Sequence, residues 1–361
     1  MIQPRPYLAD LAAYGVENRV VAPGKRLIPL DVNESLRPPS PAVAEAVARA
    51  VTVAHRYPDS DWIALREAIA EIHGLEIDTL LCGAGSLELI GLLMRAFAGL
   101  GDEVLATQYA YAYFRSATRI AGAAYVAAAE AEMTVSVDPI LAAVTQATRI
   151  VCVANPGNPT GTVIPAAEIR RLRDGLGDHI LLVIDQAYGE FVDTQEGPLF
   201  DLVARGDTVV LRTFSKAYGL AGMRIGWGVF PPPIAAEVRK LQPPGPVSGA
   251  AQAAAVAAMQ DQSYMRETVA QTVAERTRFE ERLSQTGIDH LPSQTNFVLA
   301  RFGHPEEATT ADRALRAEGV LTRGMGFYGL PECLRITVGT AEDMYLTADT
   351  LIRCLREETR S

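Results

Sequence analysis

The stretch DTVVLRTFSKAYGLAGMRIG, residues 207–226, joins a short apolar run to a polar turn that contains a single lysine, Lys216. The continuous apolar run is typical of a strand that a parallel sheet buries on both faces. The same alternation continues upstream, where RIVCVA (149–154) is followed by the helical pattern PAAEIRRLRDGL (165–176) and then by ILLVID (180–185). This alternation predicts an α/β, doubly wound domain with a mostly parallel sheet.

We place this large domain at residues 41–245. Residues 1–40 are rich in proline and are expected to form an N-terminal arm that contributes to a smaller domain. Residues 246–361 contain a long helical stretch, short strands and a closing helix, which predicts a small α+β C-terminal domain. The proline and glycine cluster at 243–249 is the expected hinge.

Composition restricts the class of partner. The chain has 361 residues, a formal net charge of -10, 48% hydrophobic and 21% charged residues, as in an ordinary globular protein. The negative charge argues against nucleic acid and against an anionic membrane surface. No leader peptide or membrane-spanning run is visible, so we expect a cytoplasmic protein. The four cysteines have no metal-ligand spacing, which predicts reduced thiols and no metal site.

Lys216 has neighbours that a solvated surface lysine does not need. Thr213 and Ser215 flank it, and Arg224 follows eight residues later. Two hydroxyls and a guanidinium suit a phosphate dianion. A lysine among apolar and cationic groups has a depressed pKa, as Schiff-base formation requires. A surface lysine is the alternative for this residue alone, and the combination argues against it.

Two other strand ends add polar groups. Asp185 ends the run ILLVID, at the carboxyl end of a strand, where open α/β sheets bind ligands; a helix N-cap or a metal-binding aspartate is the alternative. Tyr188 follows three residues later. The segment NPGNPTG (155–161) forms a tight loop in which Asn158 either contacts a ligand or caps the turn.

The segment CGAGSLE (82–88) leads from a strand into a helix, where backbone N–H groups and Ser86 favour an anion. Glu88 occupies the third glycine position of a dinucleotide fingerprint, which disfavours an NAD-dependent Rossmann enzyme. A plain strand–helix turn is the alternative. A reactive lysine, a carboxylate, a phenol, an amide and a site for one phosphate are the parts that pyridoxal 5'-phosphate needs.

With these residues in place, the chain resembles the fold-type-I pyridoxal-phosphate aminotransferases, and within them the histidinol-phosphate aminotransferase family, over nearly its whole length. The resemblance implies an aspartate-aminotransferase-like large domain with a mostly parallel sheet and a smaller α+β domain. The segments that carry it, in the order and spacing of the family, are HRYPDSDWIALREAIA (55–70), GAGSLELIGLLMRAF (83–97), NPGNPTG (155–161), VIDQAYGEF (183–191), LRTFSKAYGLAGMRIGW (211–227), PSQTNFVLARF (292–302) and YGLPECLRITVGT (328–340).

The resemblance implies a role for each residue around the cofactor ring. Lys216 is similar to the Schiff-base lysine that also moves the proton. Asp185 would pair with the pyridinium nitrogen, and Tyr188 and Asn158 would hydrogen-bond the ring oxygen O3'. Tyr111 would stack on the ring.

The resemblance also implies how the phosphate is held. The groups expected to contact it are the backbone of Ala84 and Gly85, Ser86, Thr213, Ser215 and Arg224. Tyr57 matches a tyrosine that reaches the cofactor phosphate of the partner subunit, which implies a homodimer with shared active sites.

For the substrate, the resemblance implies that Arg335 and Arg323 bind an anionic group and that Tyr14 and Asn158 contact the donor. The implied reaction is transamination between an amine donor, L-histidinol phosphate, and a 2-oxo acid, 2-oxoglutarate, in histidine biosynthesis. A Tyr14 that only packs in the fold is the alternative for that residue.

At four places in or near the expected substrate-binding loops, the sequence differs from the pattern of the family. Gln186 stands where the family commonly has glutamate, NESLRPPS (33–40) replaces NENPYG, the usual proline is absent near residues 108–113, and GPVS (245–248) replaces an FNVN-like stretch. These differences keep three alternatives open: an aromatic or specialised aminotransferase, a decarboxylase of a phosphorylated amino acid, and a cofactor-binding regulator without catalysis.

Overall fold

The computed structural model describes residues 2, 3, 7, 11, 20–192 and 197–358. The strands in this part of the chain are β1 Ile28–Pro29, β2 Leu80–Gly83, β3 Glu103–Thr107, β4 Ala124–Ala128, β5 Thr148–Ala154, β6 Leu181–Asp185, β7 Thr208–Thr213, β8 Gly226–Val229, β9 Asp289–His290, β10 Phe297–Arg301, β11 Val320–Leu321, β12 Arg323–Met325 and β13 Leu330–Thr337. The α-helices are α1 Pro41–Val51, α2 Ile63–His73, α3 Ser86–Phe97, α4 Ala112–Ala121, α5 Val137–Ala142, α6 Ala166–Gly175, α7 Pro232–Leu241, α8 Gly249–Gln260, α9 Gln262–Gln285, α10 Pro305–Ala317 and α11 Ala341–Glu358.

The main sheet has the strand order β2-β8-β7-β6-β5-β3-β4. Strand β8 is antiparallel to both of its neighbours, and the other pairs are parallel. Strands β6 and β7 are buried along their whole length, which is why their sequences are continuously apolar rather than alternating. The predicted α/β class with a mostly parallel sheet is confirmed.

The strand order also positions the site. Strand β3 has β4 on one side and β5 on the other, so the chain changes direction across the sheet between β4 and β5. In open parallel sheets, ligands bind beyond the carboxyl ends of the strands at such a switch point. The polar residues that follow β3, β5, β6 and β7 therefore meet at one edge.

A second, antiparallel sheet has the order β12-β13-β10-β9, and β1 pairs in parallel with β11 beside it. Ile28 and Leu30 lie in the same hydrophobic core as Leu315 and Ile336. These two residues near the N-terminus thus pack with residues from the far end of the chain.

Helix α8 packs in the core of the main sheet rather than with the predicted small domain. Its buried residues Ala251, Ala254, Ala258 and Met259 belong to the core of the main sheet, although residues 246–361 were assigned to the small domain. The alanine-rich face lets α8 pack closely against α1 and α2. The domain boundaries themselves stay a prediction.

None of the helices in the described part of the chain combines the length and apolar character that a bilayer-spanning helix needs. Within the same residues, no cluster of three or more histidine, cysteine, aspartate or glutamate side chains is placed to hold a metal ion. Tyr14 lies outside the described residues, and its proposed contact with the substrate stays a prediction.

A substitution at Gly226 tests how closely β8 packs against the start of α3. A Cβ atom at this position would overlap the backbone of Gly85 and Ser86, which strand pairing holds in place. We expect Gly226→Ala to lower the free energy of unfolding by about 1–3 kcal/mol, the usual cost of overpacking. Urea unfolding of the cofactor-free protein measures it. Gly249→Ala is the matched control, because nothing lies within 4 Å of its Cβ position; equal losses in both variants would contradict the prediction.

Candidate active site

Several predicted residues lie at the same edge of the main sheet. Asp185 is the last residue of β6, and Thr213 is the last residue of β7. Gly83 ends β2, and Asn155 directly follows β5, where its backbone N–H donates to the carbonyl of Asp185 at 3.0 Å. The parallel strands thus bring together segments that are far apart in the sequence.

Lys216 lies three residues beyond β7. Its Nζ donates a hydrogen bond to the carbonyl oxygen of Asn33 at 2.9 Å and lies 3.5 Å from that of Val32. Burial, and after it the Arg335 cation, lower the pKa of the Lys216 amine to about 7, against the attraction of Glu34. A large share of the amine is therefore neutral at physiological pH, as a nucleophilic lysine requires.

Asp185 is 5% exposed, and its Oδ1 accepts a hydrogen bond from the backbone N–H of Ala187 at 3.0 Å. Burial raises the pKa of this carboxyl to about 6, while the Ala187 hydrogen bond and the cations Lys216 and Arg212 act in the opposite direction. A buried carboxylate of this kind is stabilised by a cation placed beside it.

Tyr188 is buried, and burial raises the pKa of its phenol to about 12. The Tyr188 hydroxyl accepts a hydrogen bond from Nδ2 of Asn33 at 2.9 Å. Its ring lies edge-on to Phe297, with the centroids 5.3 Å apart, and Lys216 Nζ lies 5.6 Å from the centre of its ring. The phenol is therefore protonated, fixed in place and close to the lysine.

Arg335, on β13 of the second sheet, contacts Asn158 at the carboxyl edge of the main sheet. Its Nη1 donates to Oδ1 of Asn158 at 2.7 Å, and its Nη2 donates to the carbonyl of Asp31 at 2.9 Å. The Nε atom of Arg335 is buried without a hydrogen-bond partner. Arg323 is directly opposite Arg335 on β12, so the structure brings the two predicted arginines together on neighbouring strands.

At the predicted phosphate site, the backbone of Gly85 lies close to the guanidinium of Arg224. A Cβ at Gly85, which has a φ of +84°, would lie 2.7 Å from Nη2 of Arg224. Ser86 begins α3 directly after it, so its N–H is one that the helix does not bond internally. Thr213 Oγ1 accepts from the Ser215 N–H at 3.1 Å, which leaves the Thr213 hydroxyl proton to donate.

Two of the predicted backbone donors have other acceptors in this structure. The Ala84 N–H donates to Oε2 of Glu88 at 2.8 Å, and the Gly85 N–H donates to the carbonyl of Gly83 at 2.7 Å. The Glu88 carboxylate satisfies the first turn of α3, as anionic groups do at helix N-termini. The assignment of Ala84 and Gly85 stays a prediction, and Ser86 has the better-placed N–H.

The two remaining predicted tyrosines lie in different environments. Tyr111 precedes α4, and its ring packs edge-on against the buried Phe114, with the centroids 5.9 Å apart. Tyr57 is fully exposed on the surface of this protomer. Tyr111 thus packs on a buried aromatic ring, whereas the described residues leave Tyr57 fully exposed.

Asn33 is a residue of this site that the sequence pattern did not single out. Asn33 is 2% exposed and has a φ of 58°, a left-handed conformation that asparagine tolerates better than most residues. Its amide and backbone contact Lys216, Tyr188 and Thr337, and Asn296 Nδ2 donates to its carbonyl at 3.1 Å. The only sequence signal was an asparagine directly after the apolar stretch 27–32.

The residues present fit pyridoxal 5'-phosphate. Lys216 provides a buried amine with a lowered pKa, and Asp185 provides a buried carboxylate that needs a cationic partner. Because Gly85 has no side chain, the Arg224 guanidinium can lie beside the N-terminus of α3, and both groups favour a phosphate.

Comparison with known proteins gives one consistent result. A model of the family described as aminotransferase class I and II matches residues 25–351. The histidinol-phosphate aminotransferase of Jannaschia sp. (strain CCS1) is 43% identical over 342 residues, which cover 95% of each chain. That of Rhodospirillum centenum (strain ATCC 51521 / SW) is 46% identical over 356 residues, which cover 96% of this chain and 97% of the relative.

A solved structure agrees with the sequence relatives. The crystal structure of histidinol-phosphate aminotransferase from Sinorhizobium meliloti in complex with pyridoxal-5'-phosphate has a TM-score of 0.91 and 28% identity, and the match covers 99% of this chain and 98% of that one. The predicted fold and the predicted cofactor are thereby confirmed.

The Lys216 amine gives a pH prediction that needs no substrate. In the cofactor-free protein, half-maximal acetylation of Lys216 by acetic anhydride should occur near pH 7, rather than near the pKa of about 10.4 of an exposed lysine. Peptide mass spectrometry measures it, with peptides of exposed lysines as internal reference. Arg335→Met should move the midpoint to higher pH, because it removes a cation that disfavours the charged amine. A midpoint in the wild type above about pH 9 would contradict the assignment.

Proposed function

The chain belongs to the class I and II aminotransferases, and within them to the histidinol-phosphate aminotransferase family, and on this premise we propose that it transfers the amino group of L-histidinol phosphate to 2-oxoglutarate. The protein is a pyridoxal-phosphate-dependent aminotransferase. The observation that supports this donor most directly is the similarity over nearly the full length of both chains. The arginine pair Arg335 and Arg323 adds a site for the anionic end of the donor.

The residues at the sheet edge divide the chemistry between them. Pyridoxal 5'-phosphate, when bound, supplies an electron sink for charge that develops on the donor carbon. Lys216 acts as the nucleophile and then accepts and returns the proton at its Nζ, since a pKa of about 7 suits both directions. Asp185 would stabilise positive charge at the ring nitrogen, and Tyr188 and Asn158 would orient the ring through its oxygen.

The anionic ends of cofactor and donor bind at separate places. We assign the cofactor phosphate to Ser86, Thr213, Ser215 and Arg224 with the adjoining backbone of Ala84 and Gly85, and the cofactor ring face to Tyr111. Arg335 already donates two hydrogen bonds to Asn158 and Asp31, so it is pre-oriented, and its buried Nε has no acceptor. An anionic donor group supplies that acceptor, which would favour binding because an unpaired buried donor is costly.

The donor is tested by titrating the purified, cofactor-loaded protein with L-histidinol phosphate and, in parallel, with L-phenylalanine. We expect the absorbance of the bound cofactor to change at low concentration of the phosphate only, and glutamate to form when 2-oxoglutarate is added. Conversion by phenylalanine alone would instead show an aromatic aminotransferase. Release of carbon dioxide from a phosphorylated amino acid would show the decarboxylase.

Lys216→Ala should lower kcat by more than about 10²-fold, because proton transfer by a positioned group contributes at least that much. Borohydride reduction of the wild type should attach the pyridoxyl group to the peptide that contains Lys216, as peptide mass spectrometry can show. Lys240→Ala is the control, since Lys240 is an exposed residue of α7 paired with Glu237. Attachment at another lysine would refute the role of Lys216.

We further propose a homodimer in which Tyr57 contacts the cofactor phosphate of the partner subunit. Tyr57 is fully exposed in the protomer, and Val51, Val53 and Ile63 in the same stretch are also exposed. Exposed apolar groups of this kind mark interaction surfaces. In a two-fold dimer each subunit would give its Tyr57 to the other site.

Mixed dimers test this arrangement. Lys216→Ala and Tyr57→Ala protomers, unfolded together and refolded in equal amounts, should recover about a quarter of wild-type activity at limiting cofactor, because half of the dimers are mixed and each contains one intact site. Each variant alone should be far less active under these conditions. No recovery on mixing, or wild-type cofactor loading by Tyr57→Ala alone, would refute the shared site.

A further inference from the structure

We propose that Arg37 and Tyr264 form a clasp that holds residues 32–38, here called the entrance segment, over Lys216, and that this clasp determines which amine donors reach the lysine. The inference rests on the proposed aminotransferase function and deepens it. It makes Arg37 a positioning residue for donor selection, at a place where the sequence departs from the pattern of its family.

The inner end of the entrance segment is fastened at the lysine. The carbonyls of Val32 and Asn33 face Lys216 Nζ, at 3.5 and 2.9 Å. The Asn33 N–H donates to Thr337 Oγ1 at 2.9 Å, and Asn296 Nδ2 donates to the carbonyls of Asn33 and Glu34, both at 3.1 Å. Both sheets therefore hold this end.

The outer end is fastened to helix α9. The guanidinium carbon of Arg37 lies 4.0 Å from the centre of the Tyr264 ring. The Tyr264 hydroxyl donates to the carbonyl of Pro38 at 2.8 Å. Arg37 Nη1 also lies 3.5 Å from Oε2 of Glu267, one turn further along α9. Two adjacent residues of the segment are thus held by one tyrosine.

The contacts of Arg37 differ in their exposure. The Arg37 side chain is 20% exposed, whereas that of Glu267 is 64% exposed. Water screens an exposed ion pair strongly, but it screens a cation over an aromatic face less when the cation is partly desolvated. The ring contact, rather than the ion pair, is therefore the part of the clasp that matters.

The segment between the two ends has little freedom. Pro38 and Pro39 restrict the backbone after Arg37. Below them, a Cβ at Gly219 would lie 3.3 Å from the carbonyl oxygen of Arg37, so the outer end packs directly on the turn that follows Lys216. Only Glu34, Ser35 and Leu36 bridge the fastened ends, so the clasp limits how far this segment can move away from the amine.

The test compares Arg37→Leu with the wild-type holoenzyme. Amide hydrogen exchange of residues 32–37, followed by mass spectrometry, should become about five- to tenfold faster, and the ratio of kcat/KM for L-histidinol phosphate to that for L-phenylalanine should fall by a similar factor, as the loss of a partly shielded cation–π contact allows. The change should lie in KM for the phosphate, with kcat nearly unchanged, because Lys216 and Asp185 are untouched.

Three further variants separate the clasp from a general loss of structure. Arg37→Lys keeps a cation over the ring and should restore most of the wild-type ratio. Tyr264→Phe keeps the ring and loses only the hydrogen bond to Pro38, so its effect should be smaller than that of Arg37→Leu. Glu267→Gln removes the exposed ion pair and should behave as the wild type.

The outcomes distinguish this inference from the proposed function. A wild type that does not use L-histidinol phosphate refutes the proposed donor, whereas the exchange of residues 32–37 can still be compared between variants. Unchanged exchange and an unchanged donor ratio in Arg37→Leu would refute the clasp while the donor assignment stands. Faster exchange with an unchanged ratio would also refute it, because the segment would then be held without selecting the donor.

Discussion

The placement of one amine, Lys216 Nζ, in a partly water-free site is the constraint on which the rest of the structure depends. An ammonium there needs hydrogen-bond acceptors, and the backbone carbonyls of Val32 and Asn33 supply them. Burial and the Arg335 cation at the same time lower the pKa of the amine to about 7. The protein thus binds the lysine firmly and still leaves it easy to deprotonate, a combination that an exposed lysine cannot reach.

This constraint explains why residues 28–33 run from the second sheet to the edge of the main sheet. Strand β1 pairs with β11 beside the second sheet, and Asn33 then connects Lys216 and Tyr188 of the main sheet to Thr337 of β13. Arg335 makes a second connection, from β13 to Asn158. Movement of one sheet relative to the other would therefore change the surroundings of the amine directly.

The glycine turn at Gly85 and the entrance segment differ in the contacts that restrict their sequences. Gly85 lacks a side chain where Arg224 comes close, and Gly226 lacks one where the backbone of Gly85 and Ser86 comes close. The entrance segment is held instead by contacts with the second sheet at one end and with α9 at the other. Its outer end differs from the family pattern, as Arg37 shows, whereas Asn33 at its inner end contacts Lys216 and Tyr188 directly.

The sequence by itself determined the alternation of strands and helices, the order of the site residues, and the chemistry of Lys216, Asp185 and the glycine turn, because these are local patterns within a few residues. The tertiary structure alone decided which distant groups meet. Lys216 and Asn33 are 183 positions apart, Glu88 takes the Ala84 N–H, and α8 joins the core of the main sheet. Such contacts depend on packing and burial, which no local pattern encodes.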